Sequence, residues 1–170
     1  NKIKKGDFIY VPPDAPHKPI NVSNETSLLL LVARNQPTEI VKEIKNENEL
    51  SINYKQNNDC TVIHSEDTES NDSENKNIIV GVSKSTCNSK AIHMTKIELS
   101  SGTSTIPHKH LDSETAIFIQ SGKGLLIAND KLDSHLSFTK EDFIYIPEKF
   151  NHKISNVDSN NSLSMLVARN

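Results

Sequence analysis

Apolar residues along this chain recur at every second position in short runs. Segments 7–11, 28–34, 60–64, 78–82, 91–99, 115–120, 124–129, 142–146 and 163–168 all read this way, rich in β-branched residues and separated by Gly, Pro, Asn, Asp and Ser. Period two is the mark of a half-buried strand, and many short strands between polar turns predict an all-β sandwich or barrel. Only 38–46 has a weak helical pattern, from Glu39, Lys42, Glu43 and Ile44. The run Leu28-Leu29-Leu30-Leu31-Val32 is apolar at successive positions, as in a strand buried on both faces, so it is expected inside a barrel or between two. Tyr10, Phe118, Phe143 and Tyr145 fall within these runs and read as core aromatics.

The same pattern contains a repeat. Residues 6–35 slide onto 141–170 without a gap and give 16 identities in 30 positions, from Asp7-Phe8-Ile9-Tyr10 against Asp142-Phe143-Ile144-Tyr145 to a shared Leu-Val-Ala-Arg-Asn ending. An offset of 135 residues is too long for a solenoid unit and reads as duplication of a domain. Both copies are expected to fold as two strands joined by a turn. Between them lie two polar stretches, 41–58 and the acidic 65–77. The second has no apolar residue to offset its ordering entropy and is expected to be a solvated or poorly ordered loop.

Composition narrows the functional classes. The 170 residues are 34% hydrophobic without Trp, enough for one modest core, and the net charge of −3 argues against a general nucleic-acid or anionic-membrane binder. No apolar run approaches the roughly 20 residues that span a bilayer. Cys60 and Cys87 form no CxxC pair and read as ordinary thiols of a reducing, cytoplasmic compartment.

The chemistry sits in Gly102-Thr-Ser-Thr-Ile-Pro-His108-Lys-His110-Leu-Asp-Ser-Glu114. His-x-His on an extended chain puts two imidazoles on one face, about 7 Å apart along the strand, where they can converge on one ion. Lys109 between them alternates outward. A third imidazole is available from the repeat, where His152 follows a Pro147-started turn and Asn156 is placed to brace it; His17 and Asn21 hold the matching places in the first copy. A carboxylate such as Glu114 would complete a mixed N/O site. His64, His93 and His135 lack partners at ligand spacing and read as surface or packed residues. No nucleophile elbow, catalytic triad or phosphate-binding glycine loop is present.

These two patterns resemble the motifs of the cupin superfamily. Gly102, His108, His110, Glu114 and Gly122 resemble its first motif, with one extra residue before Gly122. Pro147, His152 and Asn156 resemble the second, with Glu141 and Lys149 where the motif has glycines; Gly6, Pro12, His17 and Asn21 repeat it, with Asp14 for the inner glycine. The string 114–122, the GDFIYVP-type strand and the Leu-Val-Ala-Arg ending resemble a group of small bacterial and archaeal cupins and bicupins. The resemblance implies a jelly-roll barrel over 59–170, a polar linker over 37–58, and the second half of a truncated cupin over 1–36, whose own first motif would precede residue 1. His17 then lacks His-x-His partners and is not counted as a site residue. The lost glycines imply looser or altered turns around His152.

The implied site is one divalent transition metal, Mn, Fe, Ni or Zn, held by His108, His110, Glu114 and His152. Counted back from Gly122, however, the acidic position falls on Thr115, and alternation puts Thr115, Ile117 and Ile119 on one face and Glu114 on the other. A bulge near 114–115 would bring Glu114 to the ion; otherwise three histidines hold it. The implied function is small-molecule binding, with metal-dependent chemistry on an oxygen-rich acid or sugar of the dioxygenase, isomerase or decarboxylase type. A non-catalytic ligand-binding or structural domain is the alternative. Tyr145, Glu98 and Gln120 are the candidate acids or bases. The expected partner is a small molecule, with neither nucleic acid nor membrane, and barrel edges are where a homodimer would form.

Overall fold

The computed structural model describes residues 2–38, 40–44, 59–68, 70–73 and 75–170. Among these residues the regular structure is almost wholly strand: β1 (Phe8–Tyr10), β2 (Thr61–Ile63), β3 (Ser70–Ser73), β4 (Lys76–Val82), β5 (His93–Leu99), β6 (Thr115–Ser121), β7 (Lys123–Ala128), β8 (Ser134–Thr139), β9 (Phe143–Ile146), β10 (His152–Asn156) and β11 (Leu163–Arg169). One helical turn, α1 (Lys84–Cys87), links β4 to β5. All pairings are antiparallel. A six-stranded sheet runs β3-β4-β5-β11-β6-β9, and a three-stranded sheet runs β10-β7-β8. The extended segment 103–108 adds a further edge beside β10 through bridges Ser104–Ser155 and His108–His152.

The two sheets close on one core. Leu99, Ile117, Ile119, Leu163, Met165 and Val167 from the larger sheet meet Leu126, Ala128, Phe138 and Ile154 from the smaller, all buried. Each fully buried Leu, Ile, Val or Met contributes about 1.5–3 kcal/mol, so this alternating inner face is the main source of barrel stability. The strand pattern led one to expect an all-β sandwich or barrel, and the two antiparallel sheets closed on one core form a jelly roll of the cupin kind that the motif resemblance implied.

A second cluster lies on the outer face of the larger sheet. Phe8, Ile63 and Val82 pack there with Tyr10, Ile79, Met94 and Leu166. The β1–β2 pair thus covers the back of the barrel, tied by His64 Nδ1 and Asp7 Oδ2 at 2.9 Å. Gly81 makes the approach feasible, since a Cβ there would lie 2.2 Å from the Phe8 ring.

The first copy of the repeat keeps its turns and its first strand and loses the rest of its sheet. Gly6 and Glu141 both have positive φ, at 98° and 73°, as do Asp14 and Lys149, at 62° and 61°. His17 Nδ1 lies 2.9 Å from Ala15 O, as His152 Nδ1 lies 2.8 Å from Phe150 O. Asn21 donates to Thr26 O and accepts from Ser23 N, as Asn156 donates to Asn161 O and accepts from Asp158 N. These local bonds recur at the repeat offset. Of the strands only the first recurs, β1 for β9; residues 17–21 and 28–34 form none, where their counterparts are β10 and β11. Strand 28–34, expected to be buried, is a correction, with Leu29 88% and Val32 58% exposed. β11 lies between β5 and β6, whereas among the described residues no strand is laid beside 28–34, and a ladder needs neighbours. A second half-barrel is therefore not seen. The linker expected over 37–58 falls largely outside the described residues, and 40–44 is not helical.

Three further expectations change. The acidic stretch is not simply a loop: β3 pairs with β4 as an edge strand, where polar side chains are tolerated because one side of the ladder faces solvent. The turns around His152 are not altered by the lost glycines, because Glu141 and Lys149 adopt the left-handed conformation themselves, at about 1–2 kcal/mol each. Phe143 and Tyr145 are not core residues. They alternate with the buried Ile144 and Ile146 and point outward, where Phe143 meets Phe118 at 4.9 Å between ring centroids. Tyr10 is half-buried in the second cluster rather than in the barrel.

Candidate metal centre

Three histidines converge at one end of the barrel. His108 and His152 exchange both backbone bonds, His108 N to His152 O at 3.0 Å and His152 N to His108 O at 2.9 Å, which sets their side chains next to each other. Lys149, in its left-handed turn, donates to His110 O and pins the other histidine of the His-x-His pair. Asn156, buried, donates to Leu99 O, Ser100 O and Asn161 O, so it does brace the turn after His152. Ring centroids lie 5.1 Å apart for His108–His110, 4.4 Å for His108–His152 and 5.5 Å for His110–His152. One nitrogen from each lies within 4.8 Å of the other two.

The donor set fits a transition-metal ion. Nδ1 of His108 is held by Ile106 O at 2.8 Å, and Nδ1 of His152 by Phe150 O at 2.8 Å. Such bonds fix the tautomer with the proton on Nδ1 and leave Nε2 free to ligate. His110 is held neutral, its pKa lowered to about 4 by burial and then by the nearby Arg169 cation and the other two histidines. Burial lowers His152 as well; its bond to Phe150 opposes this, and the neighbouring His108 and the Arg169 cation add to the lowering. Neutral imidazoles are what a metal needs.

This fixes a pH dependence for the metal-free protein. Above an unfolded-state value near 6.5, neither state binds these protons and the fold keeps its full stability. Below it the unfolded chain takes up protons that His110 and His152 resist, so stability falls progressively until the pH has passed below about 4 for His110. The thermal midpoint should therefore drop between pH 6.5 and 4.5, and His110→Asn should flatten that slope. An unchanged slope would mean that His110 titrates normally.

Glu114 is not in the cluster. It is exposed, accepts from the Tyr145 hydroxyl, and its backbone N donates to Asn170 Oδ1 at 3.0 Å, on the outer face of the barrel. No bulge turns it inward: β6 begins at Thr115, which pairs in regular register with Arg169 and with Ile146. The inward position belongs to Thr115, 1% exposed, whose hydroxyl is buried without a hydrogen-bond partner. The other candidate acids and bases also face away. Tyr145 is 62% exposed, Glu98 pairs with Lys96 at 2.7 Å, and Gln120 accepts from Ser164 Oγ. His17 is exposed and stands outside the cluster.

Arg169 at this end was not singled out from the sequence, and His93, read there as a surface or packed residue, lies beside it. Arg169 Nε donates to His110 Nε2 at 3.2 Å, and His93 pairs with Arg169 across β5–β11. Burial and the Arg169 charge lower the His93 pKa. The signal was available. Leu163, Met165 and Val167 are the inward positions of β11, and the same alternation carried two residues further puts Arg169 inward.

Comparison with known proteins supports the fold. No family model matches the chain. An uncharacterized protein of Methanocaldococcus jannaschii is 42% identical over 57 residues, which cover 33% of this chain and 42% of that relative, less than half its length. Among solved structures, a Thermotoga maritima protein described as a predicted oxalate decarboxylase aligns with a TM-score of 0.55 at 21% identity, over 64% of this chain and 97% of the other. The polyketide cyclase RemF of Streptomyces resistomycificus gives 0.54 at 19%, over 63% and 76%. An RmlC-like cupin of Shewanella frigidimarina gives 0.52 at 14%, over 63% and 86%. At these identities the likeness is one of fold.

Proposed function

We propose that this chain, a cupin by fold, binds one divalent transition metal through His108, His110 and His152 and presents it to a small organic ligand, acting as a metal-dependent enzyme on an oxygen-rich acid or sugar. The observation that carries this is the convergence of three imidazoles, two of them with Nδ1 tied to backbone carbonyls, at the end of a closed barrel. Mn, Fe, Ni and Zn all suit such a set. The bound ion would supply a Lewis acid or a redox centre for dioxygenase, isomerase or decarboxylase chemistry. The chain's own residues hold the ligand nitrogens in place, and the buried Ile117, Ile146 and Val167 exclude water from the barrel below.

A second reading, a non-catalytic ligand-binding cupin, is favoured by one observation: Tyr145, Glu98 and Gln120 all lie outside, so none can move a proton at the site. The two readings part at turnover. Untagged protein purified with Mn, Fe(II), Ni or Zn supplied should hold close to one equivalent of metal by plasma emission, and less than a tenth of an equivalent with every metal would overturn both. Oxygen uptake or product formation by the loaded protein with hydroxy acids and sugar acids would then favour the enzyme over the binding module.

A homodimer through the barrel edges and the open Phe118–Phe143 face is proposed as well, testable by sedimentation. Among the described residues no helix is long and apolar enough to cross a membrane. Cys60 and Cys87 are both free thiols, in keeping with the proposed cytoplasmic setting.

A further inference from the structure

The barrel end carries a cation that the three-histidine reading does not use. Arg169 closes β11 on the inward side, half-buried, with its Nε on His110 Nε2. Among the described residues no carboxylate forms an ion pair with it; the exposed Asp112 acts on His110 only at longer range. A guanidinium in this position without a counter-charge is costly unless something supplies one. On the neighbouring strand, at the same rung, Thr115 presents a buried hydroxyl with no partner. A buried polar atom left unsatisfied marks a place where water or a ligand belongs. Glu114 is turned outward onto Tyr145, which leaves the exposed Asp112 as the acidic group acting on His110.

The three-histidine cluster, the guanidinium on His110 and, on the strand beside Arg169, the unpartnered Thr115 hydroxyl therefore belong to one end of the barrel. We propose that Arg169 and Thr115 bind an oxyanion group, a carboxylate or a phosphate, of the ligand that the histidine site takes. This rests on the metal reading for the word "site", but the anion contacts themselves need no metal. The remaining guanidinium N–H groups can fork onto two oxygens, while the Thr115 hydroxyl donates to one.

The same contact has a second consequence. Arg169 Nε occupies the His110 lone pair that a metal would use, so the two compete for one nitrogen. An oxyanion that draws the guanidinium away frees His110. Anion and metal should then favour each other's binding, and by linkage the effect is reciprocal. The oxyanion contacts and the histidine cluster then act as one device, in which Arg169 caps His110 until ligand arrives.

The experiment uses the whole chain, metal-free, titrated with malonate and separately with inorganic phosphate. The Arg169 Nε–H resonance is followed by NMR and affinity by calorimetry. Expected is saturable binding of at least one of the two, with a shift of that resonance; the tighter of the two names the oxyanion. Arg169→Gln should weaken binding about tenfold or more and Arg169→Lys less, because the charge survives without the fork. Thr115→Val, nearly isosteric, should weaken it by roughly threefold. Melting curves check that the variants fold, and Arg169→Gln should bind Zn at least as tightly as the wild type because His110 is uncapped. Failure of both anions to bind, or their binding to Arg169→Gln within twofold of the wild type, would overturn the proposal. Because the titration omits metal, a protein that takes up malonate through Arg169 but no metal sinks the metal reading alone. One that binds metal but no anion sinks this one alone.

Discussion

Replacing His152 by alanine should abolish metal binding, lowering affinity by roughly a hundredfold or more, beyond the loss expected when even an outer-sphere partner is removed. His152 is the most buried of the three ligands and the one supplied by a different segment, the neighbouring strand β10. His108 and His110 lie two residues apart and without it can offer an ion only two nitrogens on one segment. The backbone exchange between His108 and His152 does not need the ring, so the variant should fold, and its melting curve checks this. Glu114→Gln is the informative control. The carboxylate lies outside with Tyr145, so this change should leave metal affinity within about twofold, whereas a carboxylate ligand would cost far more. Calorimetric titration of Zn into the three proteins decides. Retention of wild-type affinity in His152→Ala, or a large loss in Glu114→Gln, would mean that the ion sits elsewhere.

Gly124→Ala should be the most damaging small substitution to the fold, destabilising it by about 3 kcal/mol, or roughly 10 °C in Tm. Gly124 lies in β7, the middle strand of the smaller sheet, opposite Asn156 on β10 and Phe138 on β8. A Cβ there would stand 2.5 Å from Ser155 O and 2.5 Å from the Phe138 ring. The ring could rotate away, but the carbonyl belongs to the strand that carries His152 and can move only by parting β7 from β10. Gly102→Ala separates this clash from the ordinary cost of a left-handed residue: its φ is +65° and nothing lies within 4 Å of the added atom, so about 1 kcal/mol is expected. Equal losses in the two variants would show that crowding at Gly124 plays no part. Reduced metal uptake by Gly124→Ala at temperatures where it remains folded would further tie β7 to the placement of His152.

Much of the barrel was legible because period two is a local signal. β5, β6, β7, β9 and β11 all lie where alternation put them, within a few residues at each end. The strands that escaped had weak apolar signatures. β8, Ser134–Thr139, is an edge strand with one buried side chain, and β10, His152–Asn156, looked like the turn that presents a ligand. β3 has no apolar residue at all and exists through backbone pairing with β4. The aromatic residues misled in the opposite direction: Phe143 and Tyr145 carry strong β-propensity, but the parity set by Ile144 and Ile146 turned them to solvent.

By itself, the sequence determined the fold class, the three histidines that meet, the bracing role of Asn156 and the likeness of the two repeat copies in their turns. Each depends on residue type and short spacing, and the turns of 6–35 form with their own hydrogen bonds even without a barrel around them. The tertiary structure alone decided which of Glu114 and Thr115 faces inward, because that turns on the register of β6 against β9 and β11, where a shift of one residue reverses every side chain. It alone brought Arg169 to His110, 59 residues apart. It also decided that Leu28–Val32, nearly the same residues as the buried β11, would form no strand. A strand is made by its neighbours: β11 has β5 and β6, and 28–34 has none among the described residues.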